Sequence, residues 1–200
     1  MDIPVPPKRV ESKMFLPAPD VVDWMQHAFL SEQSDLFNED HIHLQDAEIG
    51  VLWAYGENLK HSRRIIGTAE IPRLQSGWKG QRKEEQLSSW FGMVPEFVIT
   101  LEVSFWRGAD NPSRCALIEH EMYHCGHAHD MFGMPKFSRL TGRPIYTMVA
   151  HDVEEFIGVV RRYGAKASGV EELVRTANKG AEIATATIEG VCGRCGKKVA

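Results

Sequence analysis

No stretch of this 200-residue chain approaches the roughly 18 consecutive apolar residues that a membrane-spanning helix needs. The opening "MDIPVPPKRVESKMFLPAP" has no apolar core of the kind a secretory leader carries, so the expected compartment is the cytoplasm of the producing or host cell. A strong charge of either sign is also missing. The formal net charge of −4 leaves no global basic footprint for nucleic acid, and "RGADNPSR" and "KHSRR" are short runs that usually are just solvated. Cysteine is scarce: Cys115, Cys125, Cys192 and Cys195 are all there are. In a cytoplasmic protein they read as thiols or metal ligands rather than disulfides. Internal repeats and low-complexity tracts are absent too, which excludes solenoids and disordered tails.

What remains is a composition fit for a packed core: 43% hydrophobic residues, 25% charged, and five tryptophans. One domain with a small appendage is expected at this length. Five of the ten prolines fall in the first 19 residues, and residues 1–18 read as an extended arm. "PDVVDWMQHAFLSEQ" then spaces Val21, Trp24, Met25, Ala28 and Phe29 as one face of a helix. "AEIGVLWAY" and "RRIIGTAEI" alternate as strands. "EFVITLEVSFW" alternates throughout, with Phe97, Ile99, Leu101, Val103 and Phe105 on one face. The polar stretch "LQSGWKGQRKEEQLSSWFG" reads as a loop with at most a short helix.

After "RGADNPSR" the period becomes helical, with Asn111 as the expected N-cap, Pro112 at the first helical position and an end near Gly126. "AHDVEEFIGVVRRYG" reads as a further helix closed by Gly164, and "GVEELVRTANKG" as a last one. Helix, then strands, then helices predicts an α+β fold with a small, twisted, mostly antiparallel sheet packed on the helix that carries the motif below, and a helical C-terminal part with a short cysteine-containing tail.

That motif lies in "CALIEHEMYHCGHAHD". His120-Glu121-Met122-Tyr123-His124 fits H-E-x-x-H. Two imidazoles four apart on a helix share a face, with Cβ atoms about 5–6 Å apart, and can grip one Zn2+. A glutamate beside the first histidine can take a proton from a zinc-bound water, which makes Glu121 the candidate general base. Leu117, Ile118, Met122 and Tyr123 surround the motif, and a buried His-Glu-His strip without an ion would be costly.

A third protein ligand is needed, and the sequence offers three candidates. Asp130 lies ten residues beyond His120, where an elongated H-E-x-x-H-x-x-G-x-x-H/D pattern puts its third ligand, but His127 stands where that pattern needs glycine. His151, in "MVAHDVEEF", lies far enough downstream for the chain to return to the metal. Glu154 or Glu155 on the same predicted helix could serve as an alternative ligand or as a hydrogen-bond partner of one. His127 and His129 read as surplus histidines beyond the helix end.

These residues carry a resemblance. A strand like "EFVITLEVSFW", then "ALIEHEMYHC", then a distant "HDVEEFIGVVRRYG" is similar to the metallopeptidase domain found in phage and prophage genomes, a small zincin akin to SprT-like proteins. The resemblance covers roughly residues 45–165. It implies a zincin-like domain over 19–165, followed at 166–200 by a helix and a CxxC tail. It further implies zinc held by His120, His124 and His151, Glu121 as base, a peptide or protein as substrate, and an edge strand at the cleft, for which 97–106 is the candidate.

Cys192-x-x-Cys195 resembles one knuckle of a zinc ribbon. A closed site needs four ligands, so a second chain would have to supply the rest, giving a possible second metal site and a homodimer. The leading functional reading is a zinc-dependent peptidase. The competing one is a catalytically inactive protein of zincin-like fold, with a structural metal and a binding or regulatory role. A DNA-associated factor ranks third.

Overall fold

The computed structural model describes residues 2–199 apart from 61–62, 154–156, 168, 187–189 and 193–197. Three alternating segments form the centre of a mixed sheet. β2 (Ile49–Ala54) runs parallel to β5 (Phe97–Glu102), with Val51 opposite Ile99. β4 (Arg63–Glu70) flanks β5 antiparallel, with Gly67 opposite Leu101. The sheet extends outward from β2 through β1 (Phe15–Pro17), antiparallel. On the other side β8 (Gly190–Cys192) pairs parallel with β4, and β9 (Lys198–Val199) pairs antiparallel with β8. The two-residue β3 (Leu59–Lys60) forms a hairpin with β4. The C-terminal tail thus contributes strands, which its composition did not announce.

The face bearing Val51, Trp53, Phe97, Ile99 and Leu101 holds the main core. α1 (Pro19–Leu30) buries Val21, Trp24, Met25, Ala28 and Phe29 on it, the stripe its three- and four-residue spacing dictates. Trp106 joins them edge-on, its ring centroid 5.1 Å from Trp53 and 6.2 Å from Trp24. The indole N–H of Trp106 donates to Pro4 O at 2.9 Å, and Arg107 donates to Pro7 O at 2.8 Å, so residues 4–7 are fastened to the body.

Several sequence expectations need correction. Strand β5 stops at Glu102, and Val103–Gly108 forms a short helix, α3. Val103 and Trp106 are both buried three positions apart, so an apolar spacing read as alternation also fits one helical turn. β5 is moreover an interior strand between β2 and β4, and cannot be the edge that a substrate joins. Residues 78–91 form a full helix, α2 (Trp78–Phe91), between Gly77 and Gly92, both at positive φ. Its few apolar contacts, Leu87 with Leu52 and Val98 on the second face of the sheet, gave little periodic signal among the charges. The α+β assignment stands. Of the six pairings described within this sheet, β1–β2, β3–β4, β4–β5 and β8–β9 are antiparallel, while the long β2–β5 ladder and β4–β8 are parallel.

The C-terminal part carries α5 (Ile157–Ala167), broken at Gly164 (φ 85°), and α6 (Glu171–Lys179). No helix among the described residues is long and apolar enough to cross a membrane.

Candidate metal centre

α4 (Asn111–Tyr123) starts one residue earlier than expected. Asp110 is the N-cap, its Oδ1 accepting the Ser113 N–H at 2.9 Å, and Pro112 takes the second position. The cap also draws the Asp110 carboxyl below its ordinary pKa, through its hydrogen bonds with Ser113. The helix ends at Tyr123, before Gly126, because Cys125 to His127 turn into strand β6 (Cys125–His127), which pairs with β7 (Tyr146–Met148). That hairpin brings the chain back to the helix end. Val149 then clamps it: its N–H donates to His124 O at 2.9 Å, and its carbonyl accepts from His124 Nδ1 at 2.8 Å. A carbonyl only accepts, so Nδ1 of His124 carries the proton and Nε2 is the nitrogen that would ligate.

Two residues past the clamp stands His151, which lies in neither a helix nor a strand, where a helix was expected. Ligand atoms of His120, His124 and His151 all lie within 4.8 Å of one another. Nε2 of His120 and Nε2 of His151 are 3.2 Å apart. Two nitrogens bound to one tetrahedral zinc at 2.0–2.1 Å stand about 3.3 Å apart, so this spacing fits a shared ion. Burial, reinforced by His124 and His151, pushes the His120 pKa down to about 4, which keeps its imidazole neutral and ligand-competent at pH 7.

Glu121 lies on the side of α4 that faces β4. It is fully buried, and neither carboxylate oxygen completes a hydrogen bond. Burial pushes its pKa up to about 8, and the Ala69 N–H opposes this only in part. A carboxyl group buried with only the Ala69 N–H directed at it, next to a histidine cluster, fits a place that a cation and its water complete. The donor set passes the same test: three imidazoles within reach of one another suit zinc.

The other sequence candidates are placed elsewhere. Asp130 is exposed at the tip of the excursion between β6 and β7, its Oδ1 accepting the N–H groups of Phe132 and Met134 at 2.8 and 3.0 Å. His127 donates to Lys136 O, and His129 is exposed. Glu154, Glu155 and Cys195 lie outside the described residues, and Cys192 is described only as the end of β8. Tyr123 turns away from the metal side, its hydroxyl donating to Asp40 at 3.0 Å and accepting from Asn38 at 2.9 Å.

Sequence reasoning missed the support behind α4. A 3-10 helix (Glu39–Leu44) presents His43, whose Nε2 donates to Cys125 O at 2.7 Å. Buried His41 from the same turn sits 3.7 Å from Glu119. The paired histidines of "EDHIHLQD" were the available signal, but nothing in their spacing points to a distant helix.

Comparison with known families agrees with this geometry. The family model described as "Putative phage metallopeptidase" matches residues 22–178. The chain belongs to that family. No curated protein and no solved structure matches it. As a family member it is assigned to the metal-dependent peptidases, and its three-histidine group points to a bound metal ion.

Proposed function

We propose that this phage metallopeptidase is a zinc-dependent peptidase of zincin-like build, with His120, His124 and His151 as ligands and Glu121 as general base. The observation that carries the reading is the histidine triad, with its 3.2 Å nitrogen pair, gathered at the end of the helix that also bears the buried Glu121 carboxylate. When bound, zinc would polarise the scissile carbonyl and bring a coordinated water's pKa to about 7. The chain does the rest. The Val149 carbonyl fixes the tautomer and tilt of His124. Glu121, held as a carboxylate by the neighbouring cation, accepts a proton from the attacking water and passes it to the leaving amine.

The strand beside this site is β4. Gly67 to Glu70 pair with β5, while β8 joins the outer side of β4 only at Ile65 and Gly67. Among the described residues the outer side of Thr68–Glu70 is left for an extended peptide to join by main-chain hydrogen bonds, in the place first expected of β5. The excursion between β6 and β7 supports a polypeptide substrate. Met131, Phe132, Met134 and Leu140 are exposed on it, although backbone bonds such as Lys136 N–H to Ala128 O order it.

The test compares wild type with Glu121→Gln on a quenched casein substrate, with zinc content measured on the same samples. The reading expects hydrolysis in the wild type and a loss of about 100-fold or more in the variant at unchanged zinc content. Equal zinc with no turnover in either protein would favour a structural metal in a binding protein.

A further inference from the structure

Strand and helix meet at one unusually close point. α4 packs on β4 where β4 carries Gly67, in the run "RRIIGTAE". A Cβ placed on Gly67 would stand 2.6 Å from Glu121 Oε1, 3.2 Å from Glu121 Cδ and 2.9 Å from Leu117 Cδ1. Real Cβ atoms do not approach oxygen that closely, so any side chain at 67 has to displace something. The strand cannot give way easily, because Gly67 is held between Leu101 on β5 and Cys192 on β8. The carboxylate can: it is the far end of a flexible side chain, with no hydrogen bond of good geometry to hold it. Gly67 does not adopt a left-handed backbone, so its lack of a side chain, rather than a special φ, is what the position uses.

We propose that Gly67 is the positioning residue for the general base: the vacancy above its Cα is the seat of the Glu121 carboxylate. This rests on the peptidase reading for its catalytic meaning, but the contact itself can be tested without it. A residue chosen only to let the helix approach the sheet would matter through Leu117. One that seats the base matters through Glu121.

The experiment is a pair of double-variant cycles, Gly67→Ala with Glu121→Ala and Gly67→Ala with Leu117→Ala. In metal-free protein, held so by chelator, Gly67→Ala lowers Tm, and that loss shrinks by more than half in the Glu121→Ala background. In the zinc-loaded protein Gly67→Ala lowers kcat about 10- to 100-fold, part of what a general base supplies, with KM and zinc affinity each changed less than about threefold. Leu117→Ala does not restore kcat. The proposal is overturned if the Tm loss is the same with and without the Glu121 side chain, if Leu117→Ala restores kcat, or if Gly67→Ala leaves kcat alone. If Gly67→Ala fails to fold, recovery of folding in Gly67→Ala/Glu121→Ala supports the contact, and its absence overturns it. If the wild type hydrolyses no peptide, the peptidase reading falls, and the metal-free cycle alone decides whether Gly67 seats Glu121.

Discussion

Removing the Glu121 charge should stabilise the metal-free protein, by an amount that depends on pH. Burial raises the carboxyl pKa to about 8 in the folded chain, from an ordinary value near 4.5. A raised folded-state pKa means that the folded chain binds the proton more tightly. The resulting stability is complete below about pH 4.5 and is lost as pH rises through 8. The shift spans about 3.5 units at 1.36 kcal/mol each, so the wild type forgoes about 5 kcal/mol across that window. His120 slopes the other way: its folded pKa is lowered to about 4, and the stability it supplies above pH 6.5 is lost as pH falls. That slope is common to wild type and Glu121→Gln, so the difference between the two isolates Glu121. Urea unfolding in the presence of chelator should therefore show Glu121→Gln gaining on wild type by about 4 kcal/mol between pH 5 and pH 8. Excess zinc should flatten that difference, since a neighbouring cation favours the carboxylate. Parallel stability curves across the range would refute the reasoning and show that the carboxylate is solvated or paired in solution.

Two further outcomes follow from the hairpin that returns the chain to the metal. A Cβ on Gly126 would stand 2.3 Å from Val149 Cγ2, so Gly126→Ala should shift the residue whose carbonyl orients His124. Zinc titration against a chromophoric chelator should show affinity falling about 10- to 100-fold, the usual cost of losing a ligand's hydrogen-bond partner, and unchanged affinity would contradict it. Phe132→Ser/Leu140→Ser should leave Tm unchanged, because both side chains are more than 80% exposed. The same variant should raise KM for a protein substrate while sparing a short peptide; equal effects on both would remove the excursion from substrate binding.

What the sequence made legible is set by which forces are local. The stripe Val21–Trp24–Met25–Ala28–Phe29 and the strand character of β2, β4 and the first half of "EFVITLEVSFW" are short-range patterns, and the structure realises them as a helix and strands. H-E-x-x-H was readable because four residues make one turn of helix. His151 was reachable by sequence separation, but its setting was not: it is held by the β6–β7 ladder and the Val149 clamp, contacts between residues 19 to 25 positions apart. The neighbour of α4 was misassigned for the same reason. Nothing local in "EFVITLEVSFW" says that β4 would lie outside it, and strand order is fixed only when the whole sheet forms. Gly67 read as one more small residue on a strand face. Its meaning depends on Glu121, which lies 54 residues later in sequence and directly against it in space. The α2 helix was hidden because only Leu87 and its immediate neighbours meet the sheet.

The central claim is that three histidines from the helix and the returning chain hold one ion. Its most direct test is elemental zinc analysis of wild type and His151→Ala, both in a Cys192→Ser/Cys195→Ser background that removes any second site in the tail. One zinc per chain is expected in the parent, and a substoichiometric, easily chelated remnant in His151→Ala. Full, tightly held zinc in His151→Ala would contradict it, and would move the third ligand to another side chain.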